Sequence, residues 1–243
     1  MKRKLKIKII LVVCLLLVAL LGSLIAPYDP LKVNYNLSLQ GSSLSHLFGT
    51  DKLGRDILSR ILCGAKTSFG LTFLMLFLIV IIGVSIGLFA GLLGGKAEHF
   101  LNSLMNGILA FPDTIFAIAV VGVIGAGLFN TVFALAFVWW PKYARLTLAL
   151  VKQEKNKDYL IVAKTSGVPL ITRILRYLLP NILSQILITA FLDIGNMMLS
   201  LAGLSFLGLA SQPPYPEWGA MLYESKQFIF SGSCSLKSGH DSL

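Results

Sequence analysis

Asp193, Asn196 and Met197 place a carboxylate, an amide and a thioether at i, i+3 and i+4 inside the apolar run Ile182–Leu204. On a helix those side chains share one side, and together they offer oxygen, amide and sulfur groups to a cation. A carboxylate in so apolar a stretch is costly and faces a bundle interior or a water-filled path. Two readings stay open: the three residues line a translocation pathway, or Asp193 bonds across to a partner or to its own bundle.

A second charged group stands in "TDKLGRD", where Asp51, Arg55 and Asp56 form a candidate ion-paired cap just before an apolar run. Asp56 then lies near the positive N-terminus of the following helix. A structural lock and a direct solute contact are both compatible with that spacing. Other strings resemble chemistry without completing it. "LLGGKAE" has Ala97 where a phosphate loop needs a magnesium-binding hydroxyl, and Ala90 where its first glycine belongs; "GAKTS" at Gly64–Ser68 has alanine before its lysine. His46, His99 and His240 are scattered, and Cys14, Cys63 and Cys234 show no CxxC spacing. No catalytic residue and no metal site are therefore expected in this chain, and Asp193 has no second carboxylate at catalytic spacing.

The elements that carry these residues follow from composition. Of 243 residues 56% are hydrophobic and 13% charged, too few charges for the surface of a soluble domain. The net charge of +10 is gathered between apolar runs rather than spread on one face, which speaks against nucleic acid as a partner and for membrane lipid. Ile7–Ala26, Phe69–Leu93, Phe100–Ile124, Leu128–Leu150 and Ile182–Leu204 each approach the ~20 residues that cross a bilayer, giving five expected spans. Lipid requires each span to satisfy its own backbone, so the fold class is an all-α integral membrane bundle. Ile7–Ala26 reads as a membrane helix rather than a cleaved signal, because no A-x-A site follows it.

Five cations stand in the N-terminal MKRKLKIK and eight lie between Lys142 and Arg176, so the N-terminus and that second block are both expected inside. Pro27–Ser68 then falls outside despite five cations of its own. Gly83, Gly87 and Gly91, four apart, form a strip for close helix approach, static or sliding. The excursion "DYLIVAKTSGVPLITRILRYLLPN" (158–181) reads as two short helical patterns broken at Gly167-Val168-Pro169. Such a helix–break–helix is either a docking surface or a solvated basic loop.

Ala163, Gly167, nine intervening residues and Tyr177-Leu178-Leu179-Pro180 resemble the EAA loop of permease subunits of type I ABC importers. The chain departs from that pattern at Ile161, Val162 and Tyr177. "HLFGTDKLGRDILSRILCGAKTS" and "LSFLGLASQPPYPEWGAML" resemble two signatures of the dipeptide, oligopeptide and nickel branch. "LDIGNMMLSLAGLSFLGL" looks closer to its nickel type, with dipeptide or oligopeptide transport as the alternative.

The resemblance implies that residues 151–180 form a cytoplasmic coupling loop, with Ala163, Lys164, Thr165, Ser166, Gly167, Pro169 and Pro180 at the seat on an ATPase. It further implies a second homologous permease, two ABC ATPases that bind ATP and magnesium, and an extracytoplasmic solute-binding protein; Pro213–Leu222, with its rigid prolines and Trp218, is either an outer-face contact for that protein or an aromatic anchor. No cofactor is implied in this chain, and its place is the cytoplasmic membrane. Residues 1–68 are expected as an N-terminal helix and outer segment, 69–230 as the transmembrane domain, and 231–243 as an atypical polar tail where the family has a sixth helix. That tail raises the further reading of a truncated, non-transporting remnant.

Overall fold

The computed structural model describes residues 17, 20–210 and 215–235. The N-terminal basic run, Cys14, most of the expected Ile7–Ala26 span, Pro213, and the tail from residue 236 with His240 lie outside the described residues. Among the described residues there are helices and no strand, with one isolated bridge between Thr50 and Asp56. From residue 57 onward they are, in order, α1 (Ile57–Leu93), α2 (Gly95–Leu109), α3 (Asp113–Ile124), α4 (Leu128–Lys155), α5 (Asp158–Thr165), α6 (Leu170–Phe206) and α7 (Trp218–Ser235).

The chain divides into two compact units. One comprises Met1–Leu71, Ala126–Phe129 and Ser200–Leu243, the other Thr72–Gly125 and Asn130–Leu199. In the second unit Ala90, Met105, Trp140, Ala144 and Leu148 bring α1, α2 and α4 into one buried cluster. Glycine is what lets α1 come so close to α4. A Cβ on Gly83 would meet Tyr143 Cβ at 2.6 Å, one on Gly87 the carbonyl oxygen of Ala144 at 2.4 Å, and one on Gly91 Val151 Cγ1 at 2.6 Å.

The expected single span Phe100–Ile124 is corrected to two arms, α2 and α3, bent by 93°. Pro112 causes the break: it holds φ −60° and ψ 128°, has no N–H to donate, and disfavours helix at Phe111. Asp113 then opens α3 in the first turn, where a carboxylate meets the helix dipole favourably.

Among the described residues, two of the expected spans are seen as single helices both long and apolar enough to cross alone, α1 and α6. The α2–α3 pair makes a third if its two arms act as one. Leu128–Leu150 lies within α4, which is long enough, but Lys142 and Arg145 interrupt its apolar character. The last expected span begins earlier than residue 182, because α6 is already helical at Leu170. It passes Pro180 through a π turn, Arg173–Leu178, in which the N–H of Leu179 reaches back five residues to the Ile174 carbonyl. A widened turn is a known way to carry a helix past a residue that cannot donate. α7 continues to Ser235, five residues into the stretch expected as a polar tail.

Candidate functional site

In the first unit the sequence TDKLGRD folds around Asp51. Its Oδ1 accepts the N–H groups of Leu53 and Arg55 at 2.8 and 2.9 Å, a tight turn that the residue type favours. Gly54 completes the turn at φ +71°, where a Cβ would strike the Asn34 carbonyl oxygen. Asp51 Oδ2 accepts from Arg55 Nε at 2.7 Å and also from Arg60 Nη1. Arg55 Nη2 and Arg60 Nη1 both donate to Glu224 Oε2 at 2.8 Å, which ties α7 to this turn. The two guanidinium side chains are 1% and 2% exposed and the Asp51 and Glu224 side chains 16% and 10%, so the arginines of this four-charge cluster are buried and its acids partly buried.

Asp56 does different work: it caps α1. Its Oδ2 accepts the N–H and hydroxyl of Ser59 at 2.8 and 2.7 Å, the arrangement that satisfies a first-turn donor. Its Oδ1 lies 2.9 Å from His46 Nδ1. Burial pushes the Asp51 and Asp56 carboxyls up, but hydrogen bonds from Arg55 to the first, and from Ser59 and His46 to the second, hold both below the ordinary carboxylate value. Sequence reasoning grouped Asp51, Arg55 and Asp56. It missed Arg60 and Glu224, although Arg60 stands one turn beyond Asp56.

Glu217 and Trp218 anchor the start of α7. Glu217 accepts the N–H groups of Gly219 and Ala220 at 3.0 and 2.8 Å, and Trp218 Nε1 donates to the Ile61 carbonyl at 3.0 Å.

In the second unit Asp193 is buried on α6. It accepts Lys142 Nζ at 2.8 and 2.7 Å through its two oxygens, and Tyr143 OH at 2.9 Å. Met197 is fully buried on the same side, while Asn196 is exposed, so the structure gathers two of the three candidate pathway residues. Lys142, counted with the loop cations from sequence, sits within α4 as the counter-charge of Asp193.

The segment from α5 into α6 is a helix, a turn and a helix. Val168 N–H bonds the Ala163 carbonyl at 3.1 Å and Gly167 N–H the Lys164 carbonyl at 3.2 Å, a Schellman stop with Gly167 at φ +74°. Ala163 is buried beneath it, whereas Lys164, Thr165, Ser166, Gly167, Pro169 and Pro180 are exposed. Tyr159 pins the segment: its hydroxyl donates to Glu154 on α4 and accepts from Asn181 Nδ2 on α6 at 2.9 Å. The hydrogen bonds from Lys157 and Tyr159 hold the Glu154 carboxyl low, against a small opposing effect of burial. The turn is flanked by exposed Ile161, Val162, Leu170 and Ile171, an apolar edge on an otherwise basic segment.

The model of the binding-protein-dependent transport system inner membrane component family matches residues 83–235. The nickel transport system permease protein NikC of Escherichia coli (strain K12) is 34% identical over 93% of this chain and 82% of its own length. The dipeptide transport system permease protein DppC of Haemophilus influenzae is 36% identical, over 92% and 78%. The glutathione transport system permease protein GsiD of Shigella flexneri is 42% identical, over 88% and 71%.

Proposed function

Because the chain belongs to the binding-protein-dependent transport system inner membrane component family, in the nickel and peptide branch of type I ABC importer permeases, we propose that it carries nickel, as an ion or a small complex, inward across the membrane. The observation that carries the importer reading is the pinned helix–turn–helix around Gly167. A Schellman turn and the Tyr159 ties make it a rigid body, and its aliphatic edge suits a protein cleft rather than water. It seats on one of two ATPases that hydrolyse ATP with magnesium, beside a second permease and below a solute-binding protein.

Nickel is supported by the likeness to the nickel permease and by the Asp193–Met197 run. Both oxygens of Asp193 are engaged by Lys142, so a cation taking that carboxylate must displace an ammonium. A complexed ion needs no such exchange. The second reading, a peptide-like cargo, is favoured by the identities to the dipeptide and glutathione permeases.

Radioactive nickel accumulation tests the choice, in cells with the gene, without it, and complemented with this 243-residue chain. Uptake that falls on deletion and returns on complementation, undiminished by excess dipeptide or glutathione, supports nickel. Uptake indifferent to deletion overturns it.

A further inference from the structure

Lys142 and Arg145 lie inside the apolar run Leu128–Leu150 of α4, and both are exposed. Charges on a span face a bundle interior, a partner or a water-filled path, because lipid accommodates them poorly. Lys142 is matched by Asp193. Arg145 is in no ion pair among the described residues, and its one side-chain hydrogen bond there runs from Nη2 to the amide oxygen of Asn106.

Both cations line a pocket of about 420 Å3, within the range of roughly 300–1,000 Å3 usual for small-molecule sites. Trp139 gives it an aromatic wall, while Leu109, which ends α2, and Asp113, which opens α3, bring the Pro112 break to its border. A span interrupted at membrane depth is tolerated where its backbone is buried in protein or lines a water-filled cavity, and transporters build solute sites at such interruptions. Residues 110–113 are all exposed in this chain, and the pocket is the cavity beside them. Asp113 is likewise in no ion pair among the described residues, so the lining holds one unmatched guanidinium and one unmatched carboxylate.

We propose that this pocket receives the solute at membrane depth, and that the solute is dipolar: a carboxylate that Arg145 takes and a positive centre that faces Asp113. Asn106 engages only Nη2 of Arg145, which leaves the rest of an exposed side chain to grip a carboxylate with parallel donors. A bare divalent cation is a poor fit, since it meets Lys142 and Arg145 together and finds both Asp193 oxygens taken. On the importer reading, on which this rests, the cargo narrows to two sources of one chemistry. A metal chelate with an uncoordinated carboxylate carries it, and so does a peptide zwitterion.

The test uses the assembled transporter in membrane fragments, with Cys14, Cys63 and Cys234 changed to serine and Ala149→Cys as reporter, one turn from Arg145 on the pocket wall. Two methanethiosulfonate reagents of similar size, one ending in sulfonate and one in trimethylammonium, probe water access and local charge. Both are expected to react, the sulfonate faster by about threefold or more, and Arg145→Gln is expected to cancel that preference. Alanylalanine and nickel citrate serve as cargo probes. At least one should slow the reaction, and Arg145→Gln and Asp113→Asn should each weaken that protection; co-purified ATPases show every variant assembled. Protection by alanylalanine but not by its amide makes the source a peptide, whereas protection by nickel citrate but not by citrate makes it a metal chelate. An unreactive reporter overturns the proposal, because a partner then covers the pocket. Reaction that neither probe slows overturns it too, as does protection unchanged by Arg145→Gln or Asp113→Asn. Labelling needs no transport, so such a failure leaves the importer reading to the uptake experiment.

Discussion

Lys142 and Asp193, 51 positions apart, meet through two contacts of 2.8 and 2.7 Å, with Tyr143 as a third partner of the carboxylate. Removing only the lysine leaves a buried carboxylate with one hydroxyl. Lys142→Ala is expected to cost roughly 1–3 kcal/mol of stability, below the full value for a buried pair because the lysine is 46% exposed. Lys142→Ala with Asp193→Asn removes both charges and is expected to lie nearer the wild type. Thermal melts in detergent decide, and strictly additive losses would show that the pair is uncoupled.

The glycine strip of α1 gives a graded series. A methyl at Gly87 meets the Ala144 carbonyl oxygen of the backbone at 2.4 Å, whereas one at Gly91 meets side-chain atoms, Val151 Cγ1 at 2.6 Å and Cβ at 2.9 Å. Gly87→Ala is expected to destabilise by about 1–3 kcal/mol and Gly91→Ala by less. Melting temperature and yield of folded protein measure this, and a reversed order would refute the backbone contact.

At Gly167 the expectation is reversed in kind: nothing lies within 4 Å, so a substitution there is limited by φ +74° alone. Gly167→Ala carries a left-handed penalty of about 1–2 kcal/mol, while Asn tolerates that region better. Solute-stimulated ATP hydrolysis by the assembled transporter should drop for Ala and be largely kept for Asn. Equal rates in all three chains would detach the turn from coupling.

Acid should loosen the first unit. Asp51 and Asp56 both titrate below their ordinary value of 3.8 in the folded chain, so folding favours their ionised forms. Their stabilisation is complete above that value and is lost as pH falls through the lower, folded one. Melting temperatures should show this contribution as constant between about pH 7 and 5 and declining below about pH 4. Asp51→Asn should flatten that decline, and an unchanged acid slope in the variant would exclude Asp51 as a source.

The sequence alone carried the helical class and the glycine strip, because apolar length and spacing are local signals. It carried the break at Gly167 too, since one glycine and one proline suffice to stop a helix. The bend at Pro112 was legible in principle from a proline in an apolar run, but length alone made Phe100–Ile124 look continuous. Glu224 was not legible: its partners lie 164 and 169 positions away, and only folding brings them together. Lys142 carried a signal that went unused. A cation within one apolar run and a lone carboxylate within another form a natural pair.

The quartet of Asp51, Glu224, Arg55 and Arg60 sums to zero charge within a few ångströms. Its potential therefore lacks the single-charge component and fades faster with distance than that of a lone arginine. No ion is drawn toward it from afar, and added salt has little to screen. Whatever settles beside it is chosen on contact, by shape and matched donors, and arrives there by diffusion alone.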